Sequence, residues 1–156
     1  MSLLLVIRLR GRSGTPPEVE STLRLLRLTR KFHAVIYPEN ESIRGMLEVV
    51  KDWVTWGEVS PDVLKELIIR RGRLVGDKPI AQEDLKNLFN SSSFDELVDS
   101  LINGKVLWHK TPGVKPVFRL RPPKGGFRNS IRRPYRSHGE LGYRGLDINE
   151  LARRMI

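Results

Sequence analysis

The chain has 156 residues, 39% of them hydrophobic, so it can bury one sizeable core but hardly two independent domains. It contains no cysteine, which excludes disulfides and thiolate metal sites, and no stretch approaches the roughly 20 apolar residues of a membrane span. Its formal net charge of +10 favours a polyanionic partner, and we expect one basic structural domain in the reducing cytoplasm, with no membrane association.

The first predicted elements are a strand and a helix. Residues 3–9 are mostly apolar and rich in strand-forming residues, as in a central strand. The run Thr15-Pro16-Pro17-Glu18 predicts the start of a helix, with Thr15 as its cap and Glu18 completing a capping box. Helical spacing then defines an apolar face with Val19, Leu23 and Leu26 and a basic face with Arg24, Arg27 and Lys31.

A second strand, a second helix and a third strand follow. The strands are predicted over 33–37 and 54–59. The helix between them has an inward stripe of Ile43, Met46, Leu47 and Val50, with Asn40 as a candidate cap. Five alternating elements in about 60 residues predict an α+β fold with a ferredoxin-like split βαβ core, an antiparallel sheet with helices on one face.

The middle section, residues 60–104, is charge-balanced and predicted to be helical. Ser60-Pro61-Asp62 opens one helix, and two shorter helices are predicted over 80–89 and 93–103. The last of these begins with a capping box from Ser93 to Glu96. We expect this section to be an α-helical extension that packs on the core of residues 1–59.

The last section, residues 105–156, is predicted to be strand-like at first and then irregular. Residues 106–108 and 117–120, separated by Thr111-Pro112-Gly113, predict a hairpin. Proline and glycine from Pro122 to Gly126 interrupt regular structure, and a basic loop is expected from there to Gly145, followed by a short closing helix.

Positive charge is concentrated in this last section. Residues 1–104 contain 15 Lys and Arg against 15 Asp and Glu, whereas residues 105–156 contain 13 against 3. A one-signed segment repels itself unless a polyanion neutralises it, and nucleic acid is the commonest polyanion in cells. Because residues 124–143 contain few apolar side chains, we also predict that they are poorly ordered in the free protein and become fixed on RNA.

The segment from Phe127 to Gly139 combines the residue types that RNA recognition needs. Arginine grips phosphate and stacks on bases, aromatic rings stack on unpaired bases, and glycine lets the backbone approach closely. The alternative is a solvated basic loop whose rings pack on the domain. The candidate RNA contacts of the last section are Arg119, Arg121, Lys124, Gly125, Gly126, Phe127, Arg128, Arg132, Arg133, Tyr135, Arg136, His138, Tyr143 and Arg144, and those of the first are Arg8, Arg10, Arg12, Arg27 and Lys31.

Catalytic, cofactor and metal sites are not indicated. The three histidines, His33, His109 and His138, are far apart and lack the spacing of metal ligands. The run 124–126 lacks the residue order of a phosphate-binding P-loop, and Ser91-Ser92-Ser93 lacks the glycines of a nucleophile elbow. We therefore expect no enzyme and no bound cofactor.

Five motifs stand along the chain: Arg30-Lys31-Phe32-His33-Ala34-Val35, Ser42-Ile43-Arg44-Gly45-Met46-Leu47, Val54-Thr55-Trp56-Gly57-Glu58, the run from Phe118 to Phe127, and Leu141-Gly142-Tyr143-Arg144-Gly145. Together they resemble the large-ribosomal-subunit protein family L thirty in its archaeal form, which is related to the eukaryotic protein L seven. The resemblance spans nearly the whole chain. Bacterial members are similar to residues 1 to about 59 only, so residues 60–156 would be the archaeal and eukaryotic addition.

The resemblance implies a ferredoxin-like core, a structural role in the large ribosomal subunit, and rRNA and neighbouring ribosomal proteins as partners. Arg30, His33 and Arg44 match basic positions of the family's shared core and become RNA-contact candidates on that basis. Whether the small separate rRNA of that subunit is a second partner stays open, and no homo-oligomer is expected. The competing hypothesis is a transient RNA-assembly or nucleic-acid-compacting factor.

Overall fold

The computed structural model describes residues 2–156, and within them a single sheet with helices on both faces forms the fold. The strands are β1 (Leu3–Arg8), β2 (His33–Pro38), β3 (Val54–Glu58), β4 (Phe118–Arg119), β5 (Ser130–Pro134) and β6 (Gly139–Tyr143). The helices are α1 (Pro17–Leu25), α2 (Glu41–Val50), α3 (Pro61–Arg71), α4 (Gln82–Phe89), α5 (Phe94–Ile102) and α6 (Ile148–Met155). The strand order is β4-β2-β1-β3-β6-β5.

The three strands β1, β2 and β3 with helices α1 and α2 form the predicted ferredoxin-like core. β1 lies between β2 and β3 and is antiparallel to both, so β2, α2 and β3 make a split βαβ unit around β1. Both helices cover one face, where Leu4 and Val6 of β1 pack with Leu23 and Leu47. The fold class predicted from the alternating pattern is confirmed.

The second helix begins as predicted, although one of its inward positions differs. The Asn40 Oδ1 atom accepts a hydrogen bond from the Ile43 backbone N–H at 2.9 Å, which caps α2. Leu47 is fully buried, whereas Met46 is only half-buried at the margin of the core. Leu47 is therefore the better position at which to test the packing of this helix.

Both ends of α1 differ from the sequence prediction. Pro16 occupies the cap position without a side-chain hydrogen bond, and Thr15 Oγ1 instead donates to the Gly11 carbonyl oxygen at 3.2 Å. The helix ends at Leu25, and Arg27 follows with a φ of 66°. Because that left-handed residue ends the helical periodicity, Arg27 and Lys31 do not share a helix face with Arg24, and the predicted basic face of α1 is wrong.

The helices of residues 60–104 cover the opposite face of the sheet. α3, α4 and α5 pack there with Leu5 and Ile7, the β1 side chains that alternate with those facing α1 and α2. The Ser93 Oγ atom accepts a hydrogen bond from the Glu96 backbone N–H at 3.2 Å and caps α5. The Glu96 carboxylate accepts a hydrogen bond from the Ser92 backbone N–H at 3.0 Å, whereas the predicted capping box would use the backbone N–H of Ser93.

The predicted hairpin between 106 and 120 does not form. Residues Trp108–Lys110 make a single 3-10 turn, and β4 pairs with β2. Trp108 is buried between the Phe89 and Phe118 rings, with centroid distances of 5.4 and 5.3 Å. The apolar run 106–108 anchors the Trp108 ring in the core. Such a run has the same local pattern as a short strand, and this ambiguity explains the wrong prediction of a hairpin.

The segment expected to be one basic loop, up to Gly145, contains two strands. β6 pairs with β3 in parallel, and β5 lies outside it at the edge of the sheet. Gly139, Glu140 and Leu141 of β6 are buried, whereas the residues of β5 are almost all exposed. That residues 124–143 become ordered only on RNA stays a prediction.

Gly57 determines how closely the C-terminal part approaches β3. A Cβ atom at this position would lie 1.9 Å from the Gly145 carbonyl oxygen and 3.0 Å from Ile148 Cγ2. Gly57→Ala must push the 145–147 turn and α6 off the sheet, and we expect urea unfolding to show a loss of about 1 to 3 kcal/mol.

Gly45→Ala is the matched control for this substitution. Gly45 lies inside α2, and a Cβ atom there would meet nothing within 4 Å. Alanine at an unhindered helix position should raise the free energy of unfolding by about 0.5 to 1 kcal/mol. A neutral or stabilising effect of Gly57→Ala would contradict the close approach at Gly57.

Candidate nucleic-acid interface

Arg8 belongs to the core and not to the surface. Its side chain is fully buried, with Nη1 donating to the Leu28 carbonyl oxygen and Nε to that of Arg10, both at 2.7 Å. The Glu20 carboxylate lies 3.5 Å from Nη2. The Arg8 guanidinium is therefore not accessible to RNA in this structure. The sequence did contain a signal for this burial. Arg8 is spaced two residues from Val6 and four from Leu4 in the same strand, so it shares the face that packs on the helices.

Arg144 is also buried, and its guanidinium is engaged by partners within the fold. The guanidinium donates from Nε to Thr55 Oγ1 at 2.8 Å and from Nη2 to Glu140 Oε2 at 3.0 Å. It also lies over the Tyr135 ring, 4.5 Å from the centroid. The Tyr135 hydroxyl donates to Asp147 at 2.6 Å, and this hydrogen bond raises the pKa of Tyr135. Arg144 thus joins β6 to β3 and occupies one face of the Tyr135 ring.

The glycine-rich turn 124–127 is held at the end of α6. The Lys124 backbone N–H donates to the Arg154 carbonyl oxygen at 2.9 Å, and Arg154 Nη1 donates to the Gly126 carbonyl oxygen at 2.7 Å. Gly125 and Gly126 have φ values of 78° and 75°, which glycine adopts without strain. Phe127 packs on the core beside Phe32, so its ring fits the alternative of packing on the domain better than base stacking.

A first basic surface lies at the β4 edge of the sheet. Arg119 pairs in register with His33 of β2, and Arg71, at the end of α3, donates from Nη1 to the Arg119 carbonyl oxygen at 3.3 Å. Burial and then the positive charges of Arg121, Arg73 and Arg70 lower the pKa of Arg71. We call this the β4 surface, and it consists of Arg30, His33, Arg70, Arg71, Arg73, Arg119 and Arg121.

His33 adds hydrogen-bonding capacity rather than charge to the β4 surface. Burial, and then the nearby charges of Arg30, Arg119 and Arg8, lower the pKa of His33 below its ordinary value, so the ring is neutral at neutral pH. Sequence reasoning missed Arg70, Arg71 and Arg73 because they belong to the charge-balanced middle section. The signal was their clustering within four consecutive residues.

A second basic surface lies at the opposite edge, on β5 and the turn that follows it. Arg132, Arg133 and Arg136 are exposed, and within residues 2–156 none has an acidic side chain within 4.0 Å. With the exposed His138 they form what we call the β5 surface. Arg128, near its start, is instead paired with Glu150 at 2.9 Å.

The two basic surfaces are far apart. β4 and β5 are the two edge strands of the six-stranded sheet, so five strand spacings of about 4.8 Å separate them by roughly 24 Å. The charge that the sequence concentrates in residues 105–156 is therefore divided between opposite edges of one sheet, since the last section crosses the molecule between β4 and β5.

A third group lies between these edges, on the side of α2. Arg44 is exposed on α2 and lines a cavity together with Trp56 of β3 and Tyr143 of β6. The Tyr143 hydroxyl donates to Glu58 Oε1 at 2.5 Å, which raises the pKa of Tyr143 and keeps the phenol protonated. Sequence reasoning missed Trp56, whose place in a predicted strand did not show which face it occupies.

The remaining candidates of the first section are not brought together. Arg10 covers the Trp53 ring with its guanidinium 4.7 Å from the centroid, and the Lys31 amine lies 5.0 Å from the Phe32 centroid. Arg12 is exposed, with Glu20 at 4.0 Å, and Arg27 is exposed in the turn after α1. These side chains are accessible but form no common surface.

The residues that the structure describes contain neither a cluster of metal ligands nor a membrane-spanning helix. Among residues 2–156, no group of three or more His, Asp or Glu side chains is placed to hold a metal ion. The same residues include no helix of the length and apolarity that crossing a bilayer would require.

Comparison with known proteins identifies close relatives along the whole chain. The family described as "Ribosomal protein L30p/L7e" matches residues 4–54. A protein of Thermofilum pendens is 54% identical over 158 residues, which cover all of both chains. Proteins of Staphylothermus marinus and Ignicoccus hospitalis are 48% and 49% identical, and each match covers 99% of this chain and 98% of the relative. All three relatives carry the name "Large ribosomal subunit protein uL30".

Proposed function

This chain belongs to the ribosomal protein L30p/L7e family, and we propose that it binds the rRNA of the large subunit through the β4 and β5 surfaces. Its role in the large ribosomal subunit is structural and not enzymatic, and its location is the cytoplasmic ribosome. Neighbouring ribosomal proteins are its expected protein partners. The small separate rRNA of that subunit stays an open second RNA partner.

One observation carries the proposal, namely that arginines without acidic partners lie at both edges of the sheet: exposed Arg30 and half-buried Arg71 and Arg121 at the β4 edge, and three exposed arginines at the β5 edge. Exposed ion pairs already satisfy their charges, whereas Arg132, Arg133 and Arg136 have no acidic side chain within reach among residues 2–156. Arginine presents a planar fork that binds phosphate oxygens in pairs. These side chains therefore offer phosphate-binding groups that the fold itself does not use.

The separation of the two surfaces explains how such a protein stabilises folded RNA. Two RNA segments that approach each other repel through their phosphates, and a cationic group on each side of a sheet about 24 Å wide lowers that repulsion while fixing the distance. Because β2, β1, β3 and β6 lie between the edges, the distance is set by backbone hydrogen bonds and not by flexible side chains.

The competing hypothesis is a factor that binds RNA only transiently, during assembly or compaction. Sedimentation of cell extract distinguishes the two. A structural subunit protein stays with large subunits in a one-to-one ratio after a moderate salt wash, whereas a transient factor is lost. Loss of the protein from mature subunits under that wash would favour the competing hypothesis.

Arg44→Ala tests whether the α2 side contributes to RNA binding. Arg44 is exposed, so we expect its removal to change the free energy of unfolding by less than about 0.5 kcal/mol while weakening binding to large-subunit rRNA. Leu47→Ala is the control on the same helix, because Leu47 is fully buried and its truncation should cost about 2 to 5 kcal/mol. Thermal unfolding and rRNA titration of both variants give the comparison. A stability loss at Arg44 with unchanged binding would remove α2 from the interface.

A further inference from the structure

We propose that two adjacent cavities on either side of Tyr143 each receive an unpaired RNA base, with Trp56 and Tyr143 as the stacking rings of the first. This inference rests on the proposed rRNA binding and adds a site that reads single-stranded nucleotides to the phosphate-binding surfaces. It follows from the shape of the cavities, the fixed position of the rings and the distribution of charge around them.

The first cavity lies between α2, β3 and β6 and has a volume of about 250 Å³. Trp56 and Tyr143, which are in register on the parallel strands β3 and β6, have ring centroids 6.3 Å apart and planes inclined at 47°. Tyr143 is 38% exposed and Trp56 is half-buried, so both rings are accessible from solvent. The cavity is lined by Glu39, Arg44, Leu47, Glu48, Trp56 and Tyr143.

The second cavity shares Tyr143 as a wall and has a volume of about 240 Å³. Its other lining residues are Tyr135, Arg136, Arg144 and Gly145. Pockets for drug-sized ligands occupy about 300 to 1,000 Å³. Each cavity is smaller than that, so each suits one ring system, and the shared wall suits two bases that follow each other along one strand.

Tyr143 is fixed in position before any ligand binds. Its hydroxyl donates to Glu58 Oε1 at 2.5 Å, and Thr55 Oγ1 donates to the carbonyl oxygen of the preceding Gly142 at 2.8 Å. Arg144, the residue after Tyr143, is buried and donates a hydrogen bond to the same Thr55 hydroxyl of β3. A ring that is already immobilised loses little rotamer freedom on binding, which favours its use as a stacking platform.

The charges around the first cavity favour a base over a phosphate. The carboxylates of Glu39 and Glu48 line it and repel phosphate, but they accept hydrogen bonds from amino groups on bases. Arg44 and Arg136 are exposed at the two cavities and have no Asp or Glu within 4.0 Å among the described residues. The site therefore places bases inside and the connecting phosphates along Arg44 and Arg136, and it favours bases with an exocyclic amino group over uracil.

A protein segment is the other class of occupant that such a cavity could take, and RNA is favoured by the flanking arginines. The experiment measures both. The RNA probes are a short single-stranded RNA of mixed sequence and a hairpin of the same composition whose loop is a non-nucleotide linker, so that every base is paired. The protein probe is the set of ribosomal proteins extracted from large subunits.

Tyr143→Ala should weaken binding to the single-stranded probe about tenfold, which is the loss expected for one base-stacking ring, and leave hairpin binding unchanged. Tyr143→Phe is the matched control. It keeps the ring but loses the hydrogen bond to Glu58 that fixes it, so its affinity for the single-stranded probe should fall less than that of Tyr143→Ala. Replacing all bases of the probe by uracil should weaken wild-type binding.

Tryptophan fluorescence provides a second readout that does not depend on the stability of the alanine variant. Trp108 is buried and Trp53 is covered by Arg10, so quenching by the single-stranded probe should come from Trp56 and disappear in Trp56→Phe. Single-strand binding that is equal in wild type, Tyr143→Ala and Trp56→Phe would overturn the base-binding site. Quenching by the extracted proteins but not by RNA would overturn it in favour of a protein neighbour.

The outcomes also separate this inference from the proposed function. Normal hairpin and rRNA binding with no ring dependence would remove the base-binding site and leave the β4 and β5 surfaces in place. Failure of the wild type to bind rRNA, the hairpin or the single strand would remove both proposals.

Discussion

Arg144→Met is expected to lower the free energy of unfolding by about 3 to 5 kcal/mol, although the sequence places this residue in a basic glycine-rich segment. The Arg144 and Glu140 side chains are 4% and 3% exposed and form an ion pair at 3.0 Å. Removing the guanidinium leaves the Glu140 carboxylate buried without a counter-charge and deprives Thr55 Oγ1 of its donor. Urea unfolding measures the loss.

The double variant Arg144→Met with Glu140→Met is the decisive control for this prediction. Replacing both members of a buried ion pair by apolar side chains is often close to neutral, so the double variant should recover most of the lost stability. Arg132→Met, at an exposed arginine of β5, should stay within about 0.5 kcal/mol of the wild type. Equal small losses for Arg144→Met and Arg132→Met would keep Arg144 among the RNA-contact candidates.

The core of β1, α1, β2, α2 and β3 was predictable because its signals are local. Strand and helix periodicities alternate, and Asn40 caps α2 as predicted. A strand at 117–120 was predicted, but the pairing of the C-terminal strands was not predictable, because their partners lie far away along the chain. β4 joins β2 at His33 and Arg119, and β6 joins β3 at Thr55 and Gly142, 86 to 87 residues apart. A pattern within a few residues carries no information about such partners.

The same limit explains which site residues the sequence could identify. Arg8 and Arg144 have the composition of surface residues, and only the fold shows that Glu20 and Glu140 meet them in the interior. Arg132, Arg133 and Arg136 stay exposed because β5 is an edge strand with no layer covering it. The count of charge in the last section was correct, but whether an arginine faces solvent depends on contacts that composition does not encode.

The last section cannot be removed to test its charge. Trp108, Phe118, Leu141, Leu151 and Met155 belong to the main hydrophobic core, and β6 lies between β3 and β5. A truncation after Gly104 would expose that core and abolish folding instead of changing only the charge. The contribution of each basic surface must be measured by substitutions in the full chain at arginines that have no acidic partner.

Two triple variants, one for each edge of the sheet, are expected to have separate and additive effects on RNA binding. The β5 variant replaces Arg132, Arg133 and Arg136 by glutamine, and the β4 variant replaces Arg30, Arg71 and Arg121, which have no Asp or Glu within 4.0 Å among residues 2–156. With a slope of log K against log salt of about −0.7 to −0.9 per neutralised phosphate, each variant should flatten the slope by about 2 to 3 units. The combined variant should flatten it by about 4 to 6 units, because sites roughly 24 Å apart do not share partners.

A lysine variant of the helical section supplies the control for general charge effects. Lys65→Gln with Lys86→Gln removes two positive charges, the half-buried Lys65 of α3, which pairs with Asp95 at 2.9 Å, and the exposed Lys86 of α4. We expect no change of slope beyond about half a unit. Salt titrations with large-subunit rRNA, on variants whose unfolding midpoints match the wild type, give all four slopes. If one triple variant flattened the slope as much as the combined one and the other had no effect, RNA would lie along a single edge. The sheet would then anchor one RNA segment, and its width could not set the distance between two.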